Sequence, residues 1–282
     1  MSYEFVNFAE SYGLQVKQFS RDRIVRCPTN DKPRSDNGRF FFDGKRGWVC
    51  DMALGGELHW WNDPNSNPYT EQEKREWAAK HRKAQHDRQN EQQRVAQEAE
   101  DILKRAYAET HPYLADKGFP KQIGLVSKEG ALLIPMRDCL RHNVIGVQTI
   151  RLVDNDWQKK MLKGQRAKGA VHVFGSKSAA ETILVEGYAT GLSVKAAVSQ
   201  LNLNASVTVC FSDNNLVAVA ALITVRKIIY ADNDVSNAGE QAAIKTGCRY
   251  VMSDTKGHDA NDDHVKMGLI HVCKKIVEMR SH

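Results

Sequence analysis

A regular alternation of short apolar segments and helical patterns over residues 179–282 constrains the fold of this chain most strongly. Continuous apolar strands between helices are typical of a parallel sheet that helices cover on both faces. We therefore predict an α/β domain here, with strands at TILVEG, SVTVCFS, KIIYAD and CRYVMS. The last helix is predicted over DDHVKMGLIHVCKKIVEM.

Acidic residues stand at the ends of these predicted strands. Glu186 follows the first strand, Asp232 and Asp234 follow the third, and Asp259 and Asp262 open the last helix. Ligands of α/β folds bind at the carboxyl ends of the strands, so these side chains are candidates for one site. Asp232 and Asp234 are two residues apart, so in extended backbone their carboxylates point the same way and repel each other. A hard divalent cation relieves such repulsion, and all-carboxylate ligands favour Mg²⁺ or Mn²⁺ over zinc.

The positive charge of the chain is concentrated in one segment. The formal net charge is +6, and residues 113–178 hold 12 Lys and Arg against 5 Asp and Glu. The remaining parts, 1–65, 66–112 and 179–282, are each within one charge of neutrality. Because the basic segment runs directly into the segment that carries the acidic motifs, we predict a basic groove beside a metal site. Its strands are expected at ALLIPMRD, NVIGVQTIRLV and AVHVFG.

Two further regions precede the basic segment. Residues 1–65 contain aromatic and β-branched runs separated by Asn-Gly, Asp-Gly and Arg-Gly turns, which predict a small β-rich module closed by a loop at 63–68. Residues 66–112 begin with a capping box at Thr70 and predict a helix to about Ala108, ended by His111-Pro112. The first half of this helix is polar, as in a solvated linker. Its second half carries an apolar stripe that should bury one face: Val95, Ala99, Ile102, Leu103 and Ala106.

Composition excludes several classes of protein. With 41% hydrophobic and 26% charged residues, the chain is typical of a globular protein rather than a disordered one. No window approaches 18 apolar residues and the amino terminus lacks a signal pattern, so we expect a cytoplasmic protein with no membrane partner. The six cysteines are scattered without a Cys-x-x-Cys pair, which indicates reduced thiols.

The acidic motifs also carry a family resemblance. LVEGYATGLS, IIYADNDVSNAGEQAA and KGHDANDDH resemble the Toprim domain, which bacterial-type primases, topoisomerases and some nucleases share. The EGYAT stretch is similar to a motif of primases from conjugative plasmids and satellite phages, and HDAND to the third acidic motif of phage primases. The basic segment is similar to the subdomain that precedes Toprim in primases. The resemblance implies a Rossmann-like Toprim domain over 179–282, with a mostly parallel sheet and flanking helices, after a basic α+β subdomain over 113–178.

The amino-terminal segments RCPT, NGRFFFDG and WVC resemble the zinc-binding module of the same family. A zinc ribbon needs four ligands, whereas this module offers Cys27, Cys50 and His59. We therefore expect a degenerate ribbon-like module without zinc over residues 1–65. Its expected core is a set of aromatic side chains, of which one or two could instead be exposed and stack on single-stranded DNA: Phe40, Phe41, Phe42, Trp48, Trp60 and Trp61.

The resemblance implies synthesis of RNA primers, by attack of a 3′-hydroxyl on an α-phosphate with release of pyrophosphate. Asp232 and Asp234 would be the main ligands of two or more divalent ions, and Asp259 or Asp262 would complete the site. Glu186 would be a further ligand or a general base. The implied partners are single-stranded DNA and ribonucleoside triphosphates. Candidates to hold them lie in the basic segment: Arg137, Arg151, Lys159, Lys160, Lys163, Arg166 and Lys168.

Two other functions would use the same residues. A Toprim nuclease would employ the carboxylates for hydrolysis, and a non-catalytic protein derived from a primase would retain only DNA binding. We favour a primase because the basic segment resembles primases and the acidic set is complete. The sequence contains no GxxxxGK[ST] loop, so a replicative helicase is expected to be encoded separately, in the replication system of a phage or plasmid.

Overall fold

The computed structural model describes residues 3–52, 56–66, 69–176 and 178–281. The chain divides into two compact units, Met1–His81 and Arg82–His282. The loop predicted at 63–68 is described as far as Ser66, and its last two residues lie outside the described part. Among the residues that the structure describes, no helix combines the length and the apolar character that a membrane span requires.

The first unit contains a four-stranded antiparallel sheet and one helix packed against it. The strands pair in sequence order. The elements are α1 (Tyr3–Ser11), β1 (Val25–Cys27), β2 (Gly38–Phe42), β3 (Arg46–Asp51) and β4 (His59–Asn62). Successive strand residues alternate between the two faces of the sheet, and one face packs on Phe5 and Ala9 of α1.

The aromatic side chains predicted to form one core divide between the two faces of this sheet. Phe40 and Phe42 are fully buried, and Trp61 packs against them. Three others form a cross-strand row on the opposite face, where Trp60 is 59% exposed: Phe41, Trp48 and Trp60. The prediction of a single core was wrong for these three, because side chains one residue apart on a strand point in opposite directions.

A long helix, α2 (Glu71–Lys104), follows. The capping box is confirmed: Thr70 Oγ1 accepts from the Glu73 N–H at 3.2 Å, and the Glu73 carboxylate accepts from the Thr70 N–H at 2.8 Å. The predicted end of the helix was wrong, because residues Tyr107–Thr110 form a strand, β5. His111-Pro112 begins a helix rather than ending one: the His111 ring caps α3 (Pro112–Asp116), where proline fits the first turn.

The second unit is built on one ten-stranded mixed sheet. Its antiparallel half contains β5, β6 (Ile123–Val126), β7 (Leu132–Asp138), β8 (Val144–Val153), β9 (Asp156–Met161) and β10 (Ala170–Phe174). Its parallel half contains β11 (Glu181–Val185), β12 (Ala205–Val209), β13 (Arg226–Ala231) and β14 (Tyr250–Met252). The order is β14-β13-β11-β12-β10-β7-β6-β5, with β8 beside β7 and β9 beside β8. The predicted α/β fold class is confirmed, although β5, β6 and β9 were not foreseen.

Helices cover both faces of the parallel half. They are α4 (Tyr188–Gln200), α5 (Asp213–Leu222), α6 (Ala238–Thr246), α7 (Ala260–Met267) and α8 (Leu269–Ser281). One apolar cluster joins the sheet to α4, α7 and α8, and another joins it to α5 and α6. The single last helix of the prediction was wrong, because Gly268 adopts a φ of +86° and separates α7 from α8.

The antiparallel half also has two packed faces. On the face that we call the α4 face, Ile134 and Ile150 pack on Tyr113 of α3 and Tyr188 of α4. On the opposite face, the α2 face, Leu133 and Val147 pack on Ala99 of α2 and its partly buried neighbours Ile102 and Leu103. Four of the five residues of the predicted apolar stripe thus belong to this second cluster: Ala99, Ile102, Leu103 and Ala106.

Candidate active site

The acidic residues predicted to form a site come together at one edge of the sheet. Strands β11 to β14 run parallel, so their carboxyl ends share that edge. Glu186 directly follows β11, Asp232 and Asp234 follow β13, and Asp259 caps the helix after β14. Chain direction alone brings these segments together.

Asp232 presents an unsatisfied oxygen within this edge. Its Oδ1 is buried and has no hydrogen-bond partner. Burial and the negative charges of Asp259 and Asp213 raise the pKa of Asp232 to about 8, whereas the charge of Lys159 lowers it. A buried carboxylate oxygen without a partner is costly, so this atom is suited to a cation.

Glu186 faces a carboxyl group that the sequence analysis missed. Burial raises the pKa of Glu186 to about 9, and a hydrogen bond and the charge of Asp213 add to the effect of burial. Two carboxyl groups form a hydrogen bond only when one of them is protonated. Asp213 is the first residue of α5 and follows β12 closely, so its place after an apolar strand was a signal of the same kind as that of Glu186.

Asp234 is held by the start of α6. Its carboxylate accepts from the Gly239 N–H at 2.9 Å, from the Ala238 N–H at 3.2 Å and from the Ser236 hydroxyl. Burial opposes the effect of these bonds, but together they lower the pKa of Asp234. Gly239 is required for this arrangement, since a Cβ there would lie 2.4 Å from the Asp232 carbonyl oxygen.

Asp259 and Asp262 form a reciprocal cap on α7. Asp259 Oδ1 accepts from the backbone N–H groups of Asn261 and Asp262 at 2.7 and 2.9 Å, and the Asp262 carboxylate accepts from the Asp259 N–H at 3.2 Å. The other Asp259 oxygen, Oδ2, accepts from Thr190 Oγ1 at 2.9 Å. Thr190 belongs to the EGYAT stretch, so this bond joins the first and third acidic motifs.

The predicted basic residues lie on different faces of the antiparallel half. Lys159 on β9 pairs with Ile150 and so lies on the α4 face, where its charge acts on Asp232. Lys160 pairs with Thr149, which itself pairs with Leu133, and so lies on the α2 face. The structure therefore connects Lys159, but not its neighbour on the opposite face, to the carboxylates.

The other basic candidates have separate surroundings. The charge of Lys163 acts on Glu91 of α2, and Arg166 forms an ion pair with Asp138. Arg137 donates to the carbonyl oxygen of His142 at 3.1 Å. Arg151 and Lys168 are exposed.

The carboxylates fit a hard divalent cation by their chemistry. All the candidate ligand atoms are oxygens, Asp232 Oδ1 is unpartnered, and Glu186 and Asp213 bring two further carboxyl groups together. Within the described ranges, no three His, Cys, Asp or Glu side chains already form a metal-binding group, so these carboxylates would have to close around an ion.

Two buried cysteine thiols of the first unit, Cys27 and Cys50, have raised pKa values. Burial raises the pKa of Cys27 to about 11 and also raises the pKa of Cys50, which favours the protonated form that does not bind zinc. A zinc-free module stays a prediction.

Comparison with known proteins agrees with the geometry. Residues 181–269 match the family model of the Toprim domain, and Toprim domains generally bind divalent metals. The chain is similar to the DNA primase TraC of Escherichia coli, with 30% identity over 259 residues. The match covers 84% of this chain and 23% of that protein, so the chain spans less than a quarter of the relative's length. Residues 181–269 therefore form a Toprim domain, and the resemblance to Toprim-domain primases predicted from the acidic motifs is confirmed.

Proposed function

We propose that the protein is a DNA primase that makes short RNA primers on single-stranded DNA by divalent-metal-dependent nucleotidyl transfer. The observation that carries the proposal is that Glu186, Asp213 and Asp232 meet at one edge of the sheet. The positive charge of Lys159 acts on Asp232 at the same edge. The similarity to a DNA primase over 84% of the chain supports primer synthesis over other Toprim chemistry.

In this proposal Asp232 and Glu186 hold the metal, and Asp259 contributes negative charge beside them. Bound there, Mg²⁺ or Mn²⁺ would neutralise the triphosphate and lower the pKa of the attacking 3′-hydroxyl. Asp234 already accepts backbone N–H groups of α6, so it fixes the loop that carries Asp232 and can still offer a lone pair. Asp262 would act on the cap of α7 rather than on the metal.

Lys159 would hold the phosphates of the incoming nucleotide, since it is exposed and acts on the site. The exposed side chains of Arg151 and Lys168 would contact the template backbone, through salt-sensitive contacts that carry no sequence information. A separately encoded helicase and a role in plasmid or phage replication remain part of the proposal.

The test is an assay with single-stranded DNA, labelled ribonucleotides and Mg²⁺ or Mn²⁺. Short labelled RNAs that disappear in Asp232→Asn would support the proposal, with an expected loss on the order of 10²-fold or more. The matched control is Asp254→Asn, which removes an exposed carboxylate whose partner is Lys275, and it should keep full activity. DNA fragments without RNA products would indicate a nuclease, and DNA binding with neither product would indicate a non-catalytic protein.

A further inference from the structure

Asp213 lies just after a sharp turn of the backbone. Phe211, two residues earlier, has a φ of +67°, which is rare for a bulky side chain and costs energy. Its N–H donates to the carbonyl oxygen of Glu186 at 2.8 Å, so the bend ties the end of β12 to the end of β11. Ser212 then caps α5, whose first residue is Asp213. A strained turn therefore sets Asp213 beside Glu186.

The segment is also fixed from the other side. Asn215 is buried, and its amide donates to the carbonyl oxygens of Cys210 and Ala170 at 2.6 and 2.7 Å. The amide oxygen of Asn215 accepts from the Gly169 N–H at 2.7 Å. These bonds anchor the first turn of α5 to β12 and to the start of β10. Asp213 thus projects from a rigid support, as a binding residue requires.

Two contacts connect Asp213 to the site. Its carboxyl group forms a hydrogen bond with that of Glu186, and its charge acts on Asp232. Asp232 Oδ1, an independent feature, is buried there without a partner. Carboxyl groups that follow three strands thus lie at one edge of the sheet, and one of their oxygens has no hydrogen-bond partner.

We propose that Asp213 is a metal-binding residue of this site and that a divalent cation binds between the carboxylates of Glu186 and Asp213. The unpartnered Oδ1 of Asp232 would face the cation. This inference rests on the proposed function only in requiring a divalent ion at the Toprim site. It adds α5 to the segments that supply ligands.

The simpler explanation is that Asp213 only stabilises α5. An acidic residue in the first turn of a helix interacts favourably with the helix dipole. That role predicts a small loss of stability in Asp213→Asn and no change in metal affinity. Metal binding predicts a loss of metal affinity instead, because Asp213→Asn removes one of the two facing carboxyl groups that would hold the ion.

The experiment is a calorimetric titration of the full chain with Mn²⁺ alone, for wild type, Asp213→Asn and the control Asp254→Asn. We expect Asp213→Asn to bind Mn²⁺ at least about tenfold more weakly, whereas Asp254→Asn should match wild type. In parallel, thermal unfolding in EDTA should show that Asp213→Asn unfolds cooperatively with a Tm within about 4 °C of wild type, which excludes misfolding as the cause. Mn²⁺ affinity of Asp213→Asn within twofold of wild type would overturn the proposal.

The primer assay separates this inference from the proposed function. If Asp213→Asn loses Mn²⁺ affinity while the wild type makes no RNA, the metal site stands and the primase proposal fails. If the wild type makes RNA and Asp213→Asn binds Mn²⁺ and makes RNA equally well, the primase proposal stands and Asp213 is only a helix-stabilising residue.

Discussion

In the parallel half of the sheet, acidic residues from four segments meet at one edge, whereas in the antiparallel half neighbouring basic residues lie on opposite faces. Glu186, Asp232 and Asp259 follow strands or cap the helix after one, and parallel strands all end on the same side. Lys159 and Lys160 lie within a strand, so their side chains point to the α4 face and the α2 face. Residues that follow parallel strands come together at one edge of the sheet, whereas neighbouring residues within a strand point to opposite faces.

The largest effect is expected from a substitution at the edge of the sheet where the acidic residues meet. Gly239→Ala would place a Cβ 2.4 Å from the Asp232 carbonyl oxygen, so α6 or the Asp232 loop must move. We expect primer synthesis to fall on the order of 10²-fold, and the free energy of unfolding to fall by about 1–3 kcal/mol. A primer assay and urea unfolding measure the two effects.

The control for this prediction lies in the antiparallel half. Gly130 has a φ of +74° and nothing within 4 Å of a Cβ built there, so Gly130→Ala adds backbone strain without a clash. It should lose about 1–2 kcal/mol of stability and keep its activity. Equal activity losses in the two variants would show that general destabilisation, and not the position of Asp232, accounts for the effect of Gly239→Ala.

The second test compares the two lysines directly. Lys159→Ala should lower kcat/KM for the nucleotide about tenfold, because the cation on the α4 face acts beside Asp232. Lys160→Ala removes an equally exposed cation from the opposite face and should stay within about twofold of wild type. Steady-state kinetics with varied nucleotide distinguish them, and equal effects would contradict the assignment of the lysines to separate faces.

The third test uses pH. The pKa values of Glu186 and Asp232, about 9 and about 8, lie above their ordinary values of 4.5 and 3.8. The folded state therefore favours the neutral carboxyls, and their contribution to stability is lost as pH rises towards these values. In EDTA, Tm should fall between about pH 6 and pH 9, and Mg²⁺ should raise Tm more at the upper end. If the Tm of the metal-free protein rises over this pH range, the raised pKa values of Glu186 and Asp232 are contradicted.

The smallest expected effect concerns Asp262. Its carboxylate completes the cap of α7, so Asp262→Asn should cost about 0.5–1 kcal/mol and leave primer synthesis within about threefold of wild type. Thermal unfolding and the primer assay measure these changes. A loss of activity comparable to that of Asp232→Asn would instead make Asp262 a metal ligand.

The carboxylates were predictable because each motif follows an apolar strand, and chain direction decides where such a residue lies. The positions of Lys159 and Lys160 were not predictable in this way. The face of the sheet on which each lysine lies depends on the hairpin of β8 and β9, and the sequence analysis missed β9. Asp154 and Asn155 both have positive φ, as in the two-residue turn that joins β8 to β9. That turn sets the register that places Lys159 opposite Ile150. Recognising Asp-Asn as a tight turn would have given the register from the sequence alone.

Because all ten strands of the second unit form one sheet, its continuity limits where the chain can be cut to make a shorter fragment. β10 pairs with β12 on one side and with β7 on the other, so the backbone bonds of the Toprim strands continue into the basic segment. A fragment beginning at residue 179 would lack β10 and expose β12 as an unpaired edge, which invites aggregation. A fragment beginning at Arg82 would keep all ten strands. The segment that carries the proposed metal ligands is therefore shorter than a fragment that keeps every strand of its sheet paired.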